Sequence, residues 1–97
     1  MEEHVYLINL YDYYGELLTE KQQLYFEDYY FNNLTFEEIG ENYKISRNAI
    51  FKQVKEVIDS LNFYEAKLKL YNKGLAMKEL TEKIEDQKIK EAINNLI

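Results

Sequence analysis

The sequence contains no cysteine and no proline, and glycine occurs only at positions 15, 40 and 74. Without cysteine, the chain can form no disulfide bond, no thiol nucleophile and no cysteine-based zinc site. Proline and glycine interrupt helices, so their scarcity, together with many leucine, isoleucine, lysine and glutamate residues, predicts an all-α chain. The length of 97 residues fits a single domain covering residues 1–97.

Long apolar segments are missing as well. No run of apolar residues approaches the roughly 20 that a membrane-spanning helix requires. The first residues, MEEHVYLINL, lack the basic segment that begins a secretion signal. We therefore expect a cytoplasmic protein with no insertion into a membrane.

Signals of catalysis are equally scarce. His4 is the only histidine in the chain, and a metal site would need several donors at fixed spacing. The acidic residues at positions 37, 38 and 41 lie close together, but without a nearby histidine or cysteine they are typical of a solvated helix face. The sequence has no glycine-rich phosphate loop and no nucleophile motif. We expect a non-enzymatic protein with no cofactor and no metal.

The net charge of −6 is distributed unevenly along the chain. Residues 1–43 carry ten acids and one lysine, whereas residues 44–78 carry eight bases and three acids. A polyanionic partner is disfavoured by the total charge. The uneven distribution, however, predicts one basic face on an acidic body.

Residues 34–57, LTFEEIGENYKISRNAIFKQVKEV, have the pattern of a helix-turn-helix. Thr35 and Glu38 form a capping box that starts a first helix at Phe36, and Ser46 offers the N-cap of a second. Gly40 lies inside the first helix, where it costs about 1 kcal/mol relative to alanine. We therefore expect the two helices to cross so closely that a larger side chain would hold them apart.

The second helix has an apolar side and a basic side. Ile50, Val54 and Val57 share one sector at about 100° per residue, and the basic residues occupy another. Cations suit phosphate contacts, while arginine and asparagine near a helix N-terminus can contact purine edges in a major groove. A solvated basic face without any ligand is the alternative. The candidate nucleic-acid-binding residues are Lys44, Ser46, Arg47, Asn48, Phe51, Lys52 and Lys55.

The apolar stripe of this helix continues past the helix-turn-helix in alternating steps of four and three residues, which predicts one long helix from Arg47 to a C-cap at Gly74. A further amphipathic helix is expected over residues 75–96, with a five-residue step between Ile84 and Ile89 that breaks the heptad phase. The stripe is satisfied either within one chain or across a homodimer. The candidate residues for an oligomer interface are Leu61, Tyr64, Leu68 and Tyr71.

Two further helices are expected before the helix-turn-helix. The first covers about residues 2–14 and ends at Gly15. The second covers about residues 20–31 and begins with a capping box formed by Thr19 and Gln22. Most of the aromatic side chains in the second helix are expected in the core, because the helix also carries several acids.

The segments YLINLYDYYGELLTEKQQLYFEDYY, LTFEEIGENYKISRNAIFKQVKEV and YEAKLKLY together resemble the YlxM family of small bacterial proteins, described as helix-turn-helix proteins associated with the signal recognition particle. Residues 46, 47, 49 and 50 match the family motif individually. Phe51 and Lys52 stand where other members vary, and the C-terminal tail is shorter and less charged. The resemblance implies a helical bundle like the fourth region of bacterial sigma factors and a role in the signal recognition particle pathway.

These observations predict a DNA-binding regulatory protein, with DNA a more probable ligand than RNA. The alternative is an adaptor that binds the GTPase or the RNA of the signal recognition particle without sequence-specific DNA binding. In a third interpretation the helix-turn-helix serves only as a packing unit, and an oligomer interface is the working surface.

Overall fold

The computed structural model describes residues 2–97. Across this range the chain is all-α, as predicted, with six α-helices and one short 3-10 helix at Gly15–Leu17. The α-helices are α1 (Glu2–Tyr14), α2 (Glu20–Tyr30), α3 (Phe36–Tyr43), α4 (Arg47–Leu68), α5 (Leu70–Thr81) and α6 (Gln87–Asn94).

The starts of α2 and α3 confirm the two predicted capping boxes. Thr19 accepts a hydrogen bond from the backbone N–H of Gln22, whose side chain accepts from the backbone N–H of Thr19. Thr35 and Glu38 form the same reciprocal pair at the start of α3. Each pair satisfies backbone donors that the helix itself leaves free.

Helix α4 connects the two clusters of the hydrophobic core, because its buried stripe contributes residues to both. Its first half, Ile50 and Val54, packs with Tyr25 of α2 and Ile39 of α3. Its second half packs with α1, the turn after it, and α2. The buried residues of this second cluster are Leu7, Leu10, Tyr14, Leu18, Phe26, Val57 and Leu61. The start of α4 is thus anchored by α2 and α3, and the rest of the helix by α1 and α2.

The prediction of one helix from Arg47 to Gly74 is wrong. Helix α4 ends at Leu68, and Lys69 adopts the left-handed conformation with φ of 56° before α5 begins. Gly74 is not a C-cap: it is a buried residue inside α5. The heptad stripe therefore crosses a break that the sequence pattern does not mark.

Two side chains account for this break. The hydroxyl of Tyr14 donates to Oε1 of Glu65 at 2.6 Å and accepts from the N–H of Leu70 at 3.0 Å. The Glu65 carboxylate also accepts from the N–H groups of Tyr71 and Asn72 at 3.1 and 3.2 Å. Three of the free N–H groups in the first turn of α5 are thereby satisfied, which a continuous helix would not need.

The single helix predicted over residues 75–96 is also wrong, because the chain turns between α5 and α6. Asp86 caps α6 by accepting from the N–H groups of Lys88 and Ile89. Thr81, at the end of α5, donates to the carbonyl of Lys78 and lies 3.1 Å from the side-chain oxygen of Asn94. The five-residue step in the apolar pattern coincides with this turn.

Helix α5 packs on α1, and α6 packs on α5, at one end of an elongated molecule. The radius of gyration is 16.8 Å, compared with about 12.5 Å for a compact chain of this length. The beginning of α4, which carries the candidate site, packs against α2 and α3.

Candidate nucleic-acid interface

The turn between α3 and α4 determines where α4 starts. Lys44 adopts the left-handed conformation with φ of 59°, and its N–H donates to the carbonyl of Gly40. The N–H of Ile45 donates to the same carbonyl at 2.9 Å. A Cβ atom on Gly40 would lie only 2.6 Å from the backbone oxygen of Ile45. A side chain at Gly40 is therefore excluded, as expected, but by the backbone of the turn at residues 45–47 rather than by a crossing of the two helix faces.

Ser46 begins α4 as predicted. Its hydroxyl oxygen accepts a hydrogen bond from the N–H of Ala49 at 3.1 Å, which satisfies one free donor of the first turn. The hydroxyl hydrogen is still available to an acceptor. Ser46 therefore has an observed capping role, and its contact with nucleic acid stays a prediction.

The basic face is accessible to a ligand. All seven candidate residues of this face are exposed, and Phe51 keeps 47% of its surface accessible. Ile50 and Val54, on the other side of the same turns, are buried. At 1.5 Å per residue, positions 47 to 55 span about 12 Å along the helix axis, and an α-helix with its side chains, about 10–12 Å across, fits into a DNA major groove.

An aromatic cluster underlies the N-terminal end of this face. The rings of Tyr29 and Phe36 stack with centroids 4.3 Å apart and planes 5° apart. Phe51 meets Phe36 edge-on at 5.6 Å, and the guanidinium carbon of Arg47 lies 5.8 Å from the centroid of Phe36. Arg47 and Phe51 were predicted from the sequence as candidate binding residues, whereas Phe36 and Tyr29 were not, because these contacts join residues of three different helices.

Part of the acidic half of the chain is engaged in local structure. Asp28 accepts hydrogen bonds from the Tyr43 hydroxyl and the Asn32 amide, each at 3.1 Å. Hydrogen bonds from the backbone N–H and side chain of Thr35 lower the pKa of Glu38, so this carboxylate stays ionised at the start of α3. Acids at this position also interact favourably with the helix dipole.

The oligomer candidates differ in how accessible they are. Leu61 is fully buried within one chain, so the prediction that it contacts a second copy is wrong for this fold. Tyr64 and Tyr71 are partly buried against the same cluster, whereas Leu68 is 45% exposed. The heptad stripe is satisfied within the chain up to Leu61, because α2 and α3 cover its first part and α1 and α2 cover the rest.

Within residues 2–97, none of the helices has the length and apolar character needed to cross a bilayer. In the same range, no three histidine or acidic side chains come together as metal ligands.

Known proteins resemble this chain over its whole length. A family model described as helix-turn-helix protein, YlxM and p13 like, matches residues 1–97. A UPF0122 protein of Fusobacterium nucleatum is 39% identical over 101 residues, covering 100% of this chain and 98% of the relative. One from Caldanaerobacter subterraneus is 45% identical over 85 residues, covering 88% and 73%. No solved structure matches the chain significantly.

Proposed function

Because this chain belongs to the family of YlxM and p13-like helix-turn-helix proteins, we propose that it is a non-enzymatic regulatory protein that binds duplex DNA. The observation that carries this proposal is the exposed basic face at the start of α4. Four cations without an intervening acid lie between positions 44 and 55. A helix that presents such a face after a tight turn has the shape that enters a major groove.

The residues of the face divide by chemistry. Lys44 and Lys55, at its two ends, neutralise phosphates. Arg47, Asn48 and Lys52 approach base edges, since arginine and lysine pair with guanine acceptors and asparagine with adenine. Phe51 contacts a thymine methyl group. Ser46 fixes the start of the helix and offers its hydroxyl hydrogen to a neighbouring phosphate oxygen.

The alternative is an adaptor in the signal recognition particle pathway, with the basic face on particle RNA or on an acidic protein surface. The net charge of −6 weakens non-specific attraction to DNA, RNA and acidic protein surfaces alike, so selectivity for either nucleic acid has to come from the basic face itself. Both proposals place the protein in the cytoplasm. They differ in the ligand recovered when genomic DNA fragments and cellular RNA compete for the same protein.

We also propose that the working form is a homodimer. The exposed Leu68, with the partly buried Tyr64 and Tyr71, supplies apolar surface at the junction of α4 and α5. A two-fold dimer would present two copies of the basic face to a palindromic site. Light scattering on the intact protein and on a Leu68→Asp variant measures this directly, and an unchanged dimer mass in the variant excludes this surface.

To test DNA binding, bound duplex fragments are first selected from genomic DNA. The affinities for the selected duplex and for a random one are then measured as a function of salt concentration. Arg47→Ala should lower the preference for the selected duplex about tenfold, because a bidentate base contact is lost. Lys55→Ala should weaken both duplexes alike and reduce the salt slope by about 0.9. Lys67→Ala is the matched control, since Lys67 is an exposed lysine on the same helix outside the face.

Two results would contradict the proposal. One is equal affinity of the unmodified protein for every duplex, and the other is selective recovery of RNA over DNA. Selective recovery of RNA would support the adaptor alternative instead.

A further inference from the structure

Phe36 is placed where three side chains of the interface region converge. It lies at the start of α3, outside the basic face itself. Tyr29 of α2 covers one side of its ring in a parallel stack. The Arg47 guanidinium lies 5.8 Å from its centroid, and the Phe51 ring meets it edge-on. One ring therefore contacts both the arginine and the aromatic residue that the DNA-binding proposal assigns to bases.

The contact with Phe36 restricts a side chain that is otherwise free. Arg47 is exposed, so without a partner its guanidinium would sample many rotamers. A cation within about 6 Å of an aromatic centroid is attracted to the ring even at an exposed site, with a bias of roughly threefold in favour of the contacting rotamers. Guanine recognition requires two donors of one guanidinium to meet two acceptors together. Restricting the side chain before binding lowers the entropy lost on binding.

Phe36 is itself held firmly enough to act in this way. Its stack on Tyr29 fixes the plane of the ring, and it packs against the cluster of Tyr25, Ile39, Ile50 and Val54. A ring supported from beneath by α2 and α3 does not rotate with the side chains of α4. Phe36 can therefore serve as a fixed reference surface for Arg47 and Phe51.

We infer that Phe36 is a positioning residue for nucleic-acid recognition: it orients Arg47 and holds Phe51 so that they contact base edges together. This inference rests on the proposed function and names the residue that sets its selectivity. Phe36 makes no contact with phosphate in this proposal. Its loss should lower sequence discrimination and leave the electrostatic part of binding unchanged.

The first experiment is made on the free protein, without a ligand. Arg47 is the only arginine in the chain, so its Nε–H group gives a single, directly assigned nitrogen-15 NMR signal of the arginine side-chain type. We expect this signal to be displaced by the Phe36 ring current and to show restricted motion, and we expect Phe36→Leu to remove both effects. An Arg47 signal with unrestricted motion in the unmodified protein would overturn the inference, even if the Phe36→Leu protein were too unstable to measure.

The second experiment compares binding to the selected duplex and to a random one. Phe36→Leu should lower the ratio of the two affinities about threefold, with the salt slope of each unchanged. Phe36→Tyr keeps the ring and should restore the ratio. Phe63→Leu is the matched control: Lys67 lies 5.7 Å from the Phe63 ring on the same helix, away from the basic face.

The outcomes separate the two proposals. If the unmodified protein discriminates between duplexes and Phe36→Leu keeps that discrimination while folded, the positioning inference fails and the DNA-binding proposal stands. If the unmodified protein binds all duplexes equally, the DNA-binding proposal fails and the inference fails with it. A Phe36→Leu protein that loses the same ratio as the Phe63→Leu control reports general destabilisation and also overturns the inference.

Discussion

The chain changes direction at a lysine both before and after α4. Lys44 and Lys69 have nearly the same left-handed conformation, with φ of 59° and 56°. This conformation is unfavourable for a residue with a side chain and persists only where the surroundings stabilise it. The first junction, between α3 and α4, and the second junction, between α4 and α5, therefore both need stabilising interactions. These interactions differ between the two junctions.

The first junction is stabilised by residues close to it in sequence. Gly40 allows the chain to approach, Ser46 caps the next helix, and these two interactions lie within the segment from Thr35 to Ala49. The second junction depends on Tyr14, which lies 51 positions before Glu65. The first junction is stabilised by residues near it in sequence, whereas the second junction forms only when α1 is packed against it.

Alkaline pH should have the largest effect, because it acts on both junctions. Burial, followed by the hydrogen bond to Glu65, raises the pKa of Tyr14, and burial beside Asp28 raises that of Tyr43. A phenol with a raised pKa in the folded state stabilises the fold fully below its unfolded pKa of about 10, and this stability is lost as the pH rises further. Circular dichroism and phenolate absorbance, recorded together, should show unfolding above pH 10.

The control for this prediction is Tyr14→Phe, which removes one ionisable phenol. Its alkaline transition should be shallower than that of the unmodified protein, although the protein is less stable at neutral pH. A protein whose tyrosines all ionise near pH 10 without any loss of helix would contradict the prediction.

Glu65→Ala should break the second junction selectively. The change leaves the Tyr14 hydroxyl and the N–H groups of Tyr71 and Asn72 without their acceptor, at a cost of about 3 kcal/mol in the free energy of unfolding. Urea denaturation measures the loss, and hydrogen exchange should show faster exchange in α5 than in α3. Glu56→Ala, an exposed acid on the same helix, should change the stability by less than about 0.5 kcal/mol.

Gly40→Ala should affect the first junction more than Gly74→Ala affects α5. A Cβ on Gly40 meets a backbone oxygen that cannot move independently, and the expected loss is about 2 kcal/mol. A Cβ on Gly74 would lie 2.5 Å from the Tyr13 hydroxyl, which is the end of a flexible side chain. There the helical preference of alanine, about 1 kcal/mol, offsets the displacement. Thermal melts of the two variants give the comparison, and equal losses would contradict it.

The candidate site could be predicted in the parts that depend on local sequence. The capping residues Thr35 and Ser46, the close approach at Gly40 and the exposure of Arg47 all follow from patterns within one or two helical turns. The contact of Phe36 with Arg47 could not be predicted in this way, because the relative position of α3 and α4 decides it. The same limit applies to Leu61, whose partners lie on α1 and α2.

The sequence by itself determined the helical class, the starts of α2, α3 and α4, and the separation of apolar and basic faces. These features depend on hydrogen bonds and periodicity over a few residues. Only the tertiary structure decided that α4 ends at Leu68, that Leu61 is covered by its own chain, and that Phe36 lies beneath the basic face. The physical reason is that each of these depends on contacts between helices, and the heptad stripe is compatible with both a continuous helix and a broken one.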